Sequence, residues 1–69
     1  MKVAFERETD GRWIAEVTDL PGVMAYGKTR QEAQCRVYAI ALRTLADKVE
    51  RGSSSAPVAR LFKNAVTRR

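Results

Sequence analysis

Asp10-Gly11-Arg12-Trp13-Ile14-Ala15-Glu16-Val17-Thr18-Asp19-Leu20-Pro21-Gly22 holds two turns with a strand between them, and its reading decides how the rest of the chain folds. Asp-Gly is a hairpin signal, because glycine takes a positive φ at no steric cost. Leu20-Pro21-Gly22 ends a strand, since proline has no amide to give to a ladder and glycine lets the chain reverse. Between the turns, Trp13, Ala15 and Val17 alternate with Ile14, Glu16 and Thr18, the period of a half-buried strand. Upstream, Val3, Phe5 and Arg7 share one face of a first strand.

The loop that joins these strands sets their register. A two-residue Asp-Gly loop would place Val3 and Phe5 beside Thr18 and Glu16, splitting the apolar set. A loop of Thr9-Asp10-Gly11, with Gly11 left-handed as in a G1 bulge, pairs Arg7 with Trp13, Phe5 with Ala15 and Val3 with Val17. That register gathers the large apolar residues on one side, and a one-residue slip would undo it. The opposite face shows Lys2, Ala4, Glu6, Glu8, Arg12, Ile14, Glu16 and Thr18, polar enough for water. After the second turn a third strand is expected over about Val23 to Lys28. Within it Gly27 reads either as a bulge or close packing point for a helix, or as a flexible residue near a strand end.

Thr29-Arg30-Gln31-Glu32 is a capping box, in which Glu32 is expected to reach back to the amide of Thr29. The helix it opens runs to about Arg51, with Gly52 as the residue after the cap. Glu32 with Arg36 and Asp47 with Arg51 are i,i+4 pairs, each worth only about 0.3 to 0.5 kcal/mol when exposed. At 100° per residue, Ala33, Val37, Ile40, Ala41, Thr44 and Leu45 make one face, and Cys35, Tyr38, Leu42, Ala46 and Val49 make another beside it. The charged stripe of Arg36, Arg43, Asp47 and Glu50 is narrow. One small sheet covers one side of a helix, so the second apolar face needs the C-terminal segment or another copy of the chain. Self-association through Tyr38, Leu42 and Val49, as a homodimer or homotetramer, is therefore expected. Cys35 is expected to be a small buried apolar residue rather than a reactive thiol.

The domain so defined is 1–52, an α+β unit of a three-stranded antiparallel sheet packed by one long helix. Residues 53–69 form a polar hinge, Ser53-Ser54-Ser55, and a basic amphipathic segment. In that segment Val58, Leu61, Phe62, Ala65 and Val66 have helical spacing, with a fourth strand over Leu61 to Val66 as the alternative.

The net charge of +5 has an uneven origin: residues 1–50 balance, and the excess lies in Arg51, Arg60, Lys63, Arg68 and Arg69. A neutral body with a basic tail is not a basic domain. Arg60, Lys63, Arg68 and Arg69 are the residues through which a small nucleic-acid-binding protein would work, against the simpler reading of a solvated terminus. With a single cysteine and no histidine, neither an internal disulfide nor a Cys/His zinc site can form. No stretch approaches the roughly 18 apolar residues of a membrane span, and no leader pattern opens the chain. A soluble, cytoplasmic protein is expected.

The chemical inventory is poor. Histidine, the commonest general base, is absent, and the four glycines stand singly at turns and caps rather than in a phosphate loop. Asp10, Asp19, Glu6, Glu8 and Glu16 match no metal-binding spacing, so a metal-dependent nuclease is a weak rival. Trp13 with Tyr26 could stack bases, but Trp13 shares the inward face with Phe5 and Val17. No catalytic residue, metal or cofactor is expected, and the chain reads as a binding or assembly module.

Asp10-Gly11, Trp13, Val17, Asp19-Leu20-Pro21-Gly22-Val23, Gly27 and Thr29-Arg30-Gln31-Glu32-Ala33 together resemble the N-terminal domain of the HicB antitoxins, over roughly residues 2 to 52. The resemblance implies a partial RNase H-like fold and a protein that neutralises a small mRNA-cleaving toxin of the HicA type by covering its active site. It carries no catalytic residues. Typical members add a C-terminal helix-turn-helix or ribbon-helix-helix domain that binds DNA; this sequence has no room for one, so DNA binding is not expected. Ile14, Glu16 and Asp19, on the less covered sheet face and its terminal turn, are the expected toxin contacts.

Overall fold

The turn at Thr9-Asp10-Gly11 has the three-residue form. The Gly11 amide donates to the Glu8 carbonyl at 2.9 Å, the Glu8 amide donates to the Arg12 carbonyl at 2.7 Å, and Gly11 sits at φ +91. Only glycine holds that conformation without steric cost, so the loop length follows from the residue type. The computed structural model describes residues 1–52 and contains β1 (Val3–Arg7), β2 (Trp13–Val17), β3 (Met24–Gly27) and α1 (Arg30–Glu50). β1 and β2 pair antiparallel with Val3 opposite Val17, Phe5 opposite Ala15 and Arg7 opposite Trp13, the register that the apolar pattern requires.

The second reversal is tight. The Val23 amide donates to the Leu20 carbonyl at 3.0 Å, with Pro21 and Gly22 between them and Gly22 at φ +84. Proline presets the first corner and glycine supplies the second. The Val17 amide then donates to the Val23 carbonyl at 3.0 Å, and β3 pairs with β2 so that Ala15 faces Ala25 and Trp13 faces Gly27. The third strand is shorter than the expected Val23 to Lys28, because Val23 closes the Pro-Gly turn at one end and Thr29 begins the helix cap right after Lys28 at the other. The sheet order is β1-β2-β3.

Thr29 caps α1 with extended backbone, its hydroxyl accepting from the Glu32 amide at 3.0 Å. Glu32 closes the box one residue earlier than expected: its carboxylate accepts from the Lys28 amide at 2.8 Å, not from Thr29. The cap therefore ties the helix to the end of β3 as well as satisfying an orphan donor. At the other end Arg51 is the cap and Gly52 follows at φ +75, with amide bonds of 3.0 Å from Arg51 to the Asp47 carbonyl and from Gly52 to the Val49 carbonyl.

Between sheet and helix the core consists of Ala15, Val17, Leu20, Val23, Ala25, Ala33, Val37, Ala41 and Leu45, with Val3, Phe5, Trp13 and Ile40 packed against it. The small residues have a geometric purpose. Gly27 lies directly under the first turn of α1, and a Cβ there would stand 2.9 Å from the Ala33 Cα, closer than real Cβ atoms approach backbone. This identifies Gly27 as the close packing point and not as a flexible strand end. Ala15 and Ala25 continue the low floor, so α1 settles on β3 and β2 and leaves the inner side of β1 at its margin. Trp13 belongs to the core boundary as expected, with the Arg7 guanidinium 6.0 Å from its ring centre.

Cys35 departs from expectation: its thiol is exposed, because the stripe it belongs to has no cover within the described residues. The hinge and the helix-or-strand alternative for residues 58–66 lie outside the described residues.

Gly27→Ala tests the packing. The added methyl meets backbone that cannot yield locally, so unfolding in urea should show a loss of about 2 kcal/mol, within the range for overpacking; an unchanged midpoint would contradict the close approach.

Candidate interaction surfaces

The outer sheet face is built by phase. Once Val23, Ala25 and Gly27 point to the helix, Met24 and Tyr26 must point away, and they are 41% and 39% exposed. The register sets Ile14 between Glu6 and Tyr26, and Glu16 between Ala4 and Met24. Ile14 and Glu16 line a shallow depression of about 290 Å³ with Ala4, Phe5 and Glu6. The face is thus an apolar patch of Ala4, Ile14, Met24 and Tyr26 crossed by two carboxylates. Of the three expected toxin contacts, Ile14 and Glu16 come together here. Asp19 does not line the depression; it sits on the β2–β3 turn, 4.0 Å from the amino group of Met1.

A second feature escaped the sequence reading. Arg12, Tyr26, Gly27, Lys28, Glu32 and Arg36 surround a depression of about 300 Å³ at the β3 edge. The Arg12 guanidinium lies 4.7 Å from the Tyr26 ring centre and is fixed by Asp10, whose carboxylate accepts from the Arg12 amide at 3.0 Å and from Nε at 2.8 Å. Arg36 donates to the Tyr26 carbonyl at 3.0 Å and stands 3.6 Å from Glu32. Three cations face one carboxylate there, but two of the three have protein partners. The signal lay in the alternation from the Pro-Gly turn, which puts Tyr26 outward beside Arg12.

The third surface is apolar. Met1, Val3, Val17, Tyr38, Ala41 and Leu42 line a groove of about 330 Å³ between β1 and α1. Tyr38, Leu42 and Val49 are 46%, 59% and 43% exposed, so the second helix face that the spacing identified has no cover among the described residues. The Gln34 side-chain amide donates to the Tyr38 hydroxyl. Arg30 covers the open side of Phe5, its guanidinium 4.0 Å from the ring centre. Arg60, Lys63, Arg68 and Arg69 lie outside the described residues. Among the described residues no helix is long and apolar enough to cross a membrane.

At Asp10 the Arg12 amide, helped by its guanidinium, outweighs desolvation and holds the carboxyl below the usual aspartate range. A folded-state value below the unfolded one means that its contribution is present at neutral pH and lost as pH falls through the folded-state value. An NMR titration should give Asp10 a midpoint below that of an unstructured aspartate; an ordinary midpoint would contradict the Arg12 contacts. Comparison with protein-family models, with curated proteins and with solved structures gives no match to this chain.

Proposed function

We propose that the chain is a HicB-like antitoxin-type protein, a cytoplasmic binding module that associates with itself and neutralises a HicA-like mRNA-cleaving toxin. The observation that carries this reading is the coincidence of motif and architecture. Asp10-Gly11, Leu20-Pro21-Gly22 and Thr29-Arg30-Gln31-Glu32 occupy the three junctions of a β-β-β-α unit, and Gly27 and Ala33 form the contact that closes it. The turns and caps of the motif are therefore structural, and the faces between them are available for binding.

Division of labour follows from chemistry. The outer sheet face, with Ile14 central and Glu6 and Glu16 beside it, offers apolar contact flanked by carboxylates, which suits a small basic ribonuclease. The bare helix stripe of Tyr38, Leu42 and Val49 carries no charge and suits a second copy. The proposed protein binds and occludes; it supplies no catalytic group.

Affinity purification from the native host tests the proposal. The expected companion is a small basic protein that cleaves RNA when alone and is silent in the complex. Ile14→Asp should weaken the complex at least tenfold with the circular dichroism spectrum unchanged, while Asp19→Asn should matter less because Asp19 stands off the patch. A companion that lacks ribonuclease activity, or a complex indifferent to Ile14→Asp, would contradict the proposal.

A further inference from the structure

We propose that the depression at the β3 edge holds one nucleotide of a single-stranded nucleic acid, with its phosphate among Arg12, Lys28 and Arg36 and its base on the stack of Arg12 and Tyr26. The inference goes beyond the antitoxin reading and does not depend on it.

Three separate elements bring the cations together. Arg12 follows the β1–β2 turn, Lys28 follows β3, and Arg36 stands on the second turn of α1, all on the rim of one depression. Two carboxylates are near, and both are turned to protein hydrogens: Asp10 accepts from the Arg12 amide and Nε, and Glu32 accepts from the Lys28 amide at 2.8 Å. These bonds orient the cations without exhausting them. Arg12 keeps both terminal nitrogens, Arg36 keeps Nε beside its 3.0 Å bond to the Tyr26 carbonyl, and Lys28 keeps its whole ammonium group, with no bond to any of these among the described residues. Residues 1–50 balance in charge, so this concentration of cations is local and not a property of the body as a whole. The depression lies across the sheet from β1 and at the N-terminal end of α1, with about 21 Å of helix between Arg36 and Glu50.

Shape and number decide the ligand. A carboxylate presents two oxygens in one plane, and a single guanidinium fork satisfies it. Donors that arrive from three elements suit the tetrahedral oxygens of a phosphate instead. The depression measures about 300 Å³, at the lower end of the range for small-molecule sites, so it has room for more than the phosphate. Beside it Tyr26 is 39% exposed, and the Arg12 guanidinium lies 4.7 Å from its ring centre. Unpaired bases stack on tyrosine rings and on arginine planes, and a base laid on the solvent side of Arg12 would continue this stack. A duplex keeps its base faces covered by their neighbours. The combination therefore selects an unpaired strand.

Fluorescence anisotropy of the full chain with a labelled single-stranded RNA of about ten nucleotides, repeated at rising salt, tests the site. Lys28 and Tyr26 are both exposed, so their replacement should leave the circular dichroism spectrum unchanged. Lys28→Ala removes one phosphate contact, and the slope of log affinity against log salt should become shallower by about 0.7. Tyr26→Ala should raise the dissociation constant about tenfold with the slope unchanged. Duplex RNA and polyglutamate should compete poorly. Two variants that bind as the wild type does, polyglutamate that competes as well as the RNA, or no RNA binding even at low salt would overturn the proposal. Binding that is lost only when Arg60, Lys63, Arg68 and Arg69 are neutralised would also overturn it, by placing the contact in the basic segment.

Discussion

The contact between Gly27 and Ala33 places everything else. Because no side chain stands between the end of β3 and the first turn of α1, the helix drops onto the sheet there. The alanines at positions 15 and 25 keep the floor low along its path, so Val37, Ala41 and Leu45 fill the space without larger residues. The Thr29 cap and the Glu32 bond to Lys28 hold the helix end at the same point. A helix fixed over β3 and β2 cannot also cover β1. Among the described residues, the tightest contact and the least covered region are consequences of one geometry.

Function follows from what that geometry leaves open. The outer sheet face and the helix stripe are exposed for different reasons: the first because a two-layer unit has one open side, the second because the helix is off-centre. In the proposed antitoxin these are separate duties, toxin occlusion on the sheet and assembly along α1. The separation is physically useful, since a second copy on the helix stripe leaves the outer sheet face free.

The strand register was legible because only an odd loop puts Val3, Phe5, Trp13 and Val17 on a common side, and Gly11 is the residue that the three-residue loop needs. The helix start was legible from Thr29 and Glu32, although the carboxylate bonds Lys28, a choice of neighbouring amide that sequence spacing does not resolve. Ile14 and Glu16 were placed on the correct face by alternation alone. Tyr26 and Arg12 were not joined, since their meeting depends on the phase of a strand whose start is set by Pro21 and Gly22. Cys35 was assigned to the right stripe and the wrong environment: periodicity reports which residues share a face, and burial depends on what lies opposite. The basic cluster of Arg12, Lys28 and Arg36 draws on a turn, a strand end and a helix, far apart in sequence, and no spacing motif announces it.

The off-centre helix leaves the stripe of Tyr38, Leu42 and Val49 exposed among the described residues, and the proposed self-association covers it. Sedimentation equilibrium of the wild-type chain and of Leu42→Asp tests this most directly. The wild-type chain should be a dimer or tetramer, and Leu42→Asp a monomer with an unchanged circular dichroism spectrum. A wild-type chain that is monomeric at every concentration, or a Leu42→Asp chain that assembles as well as the wild type, would contradict the account.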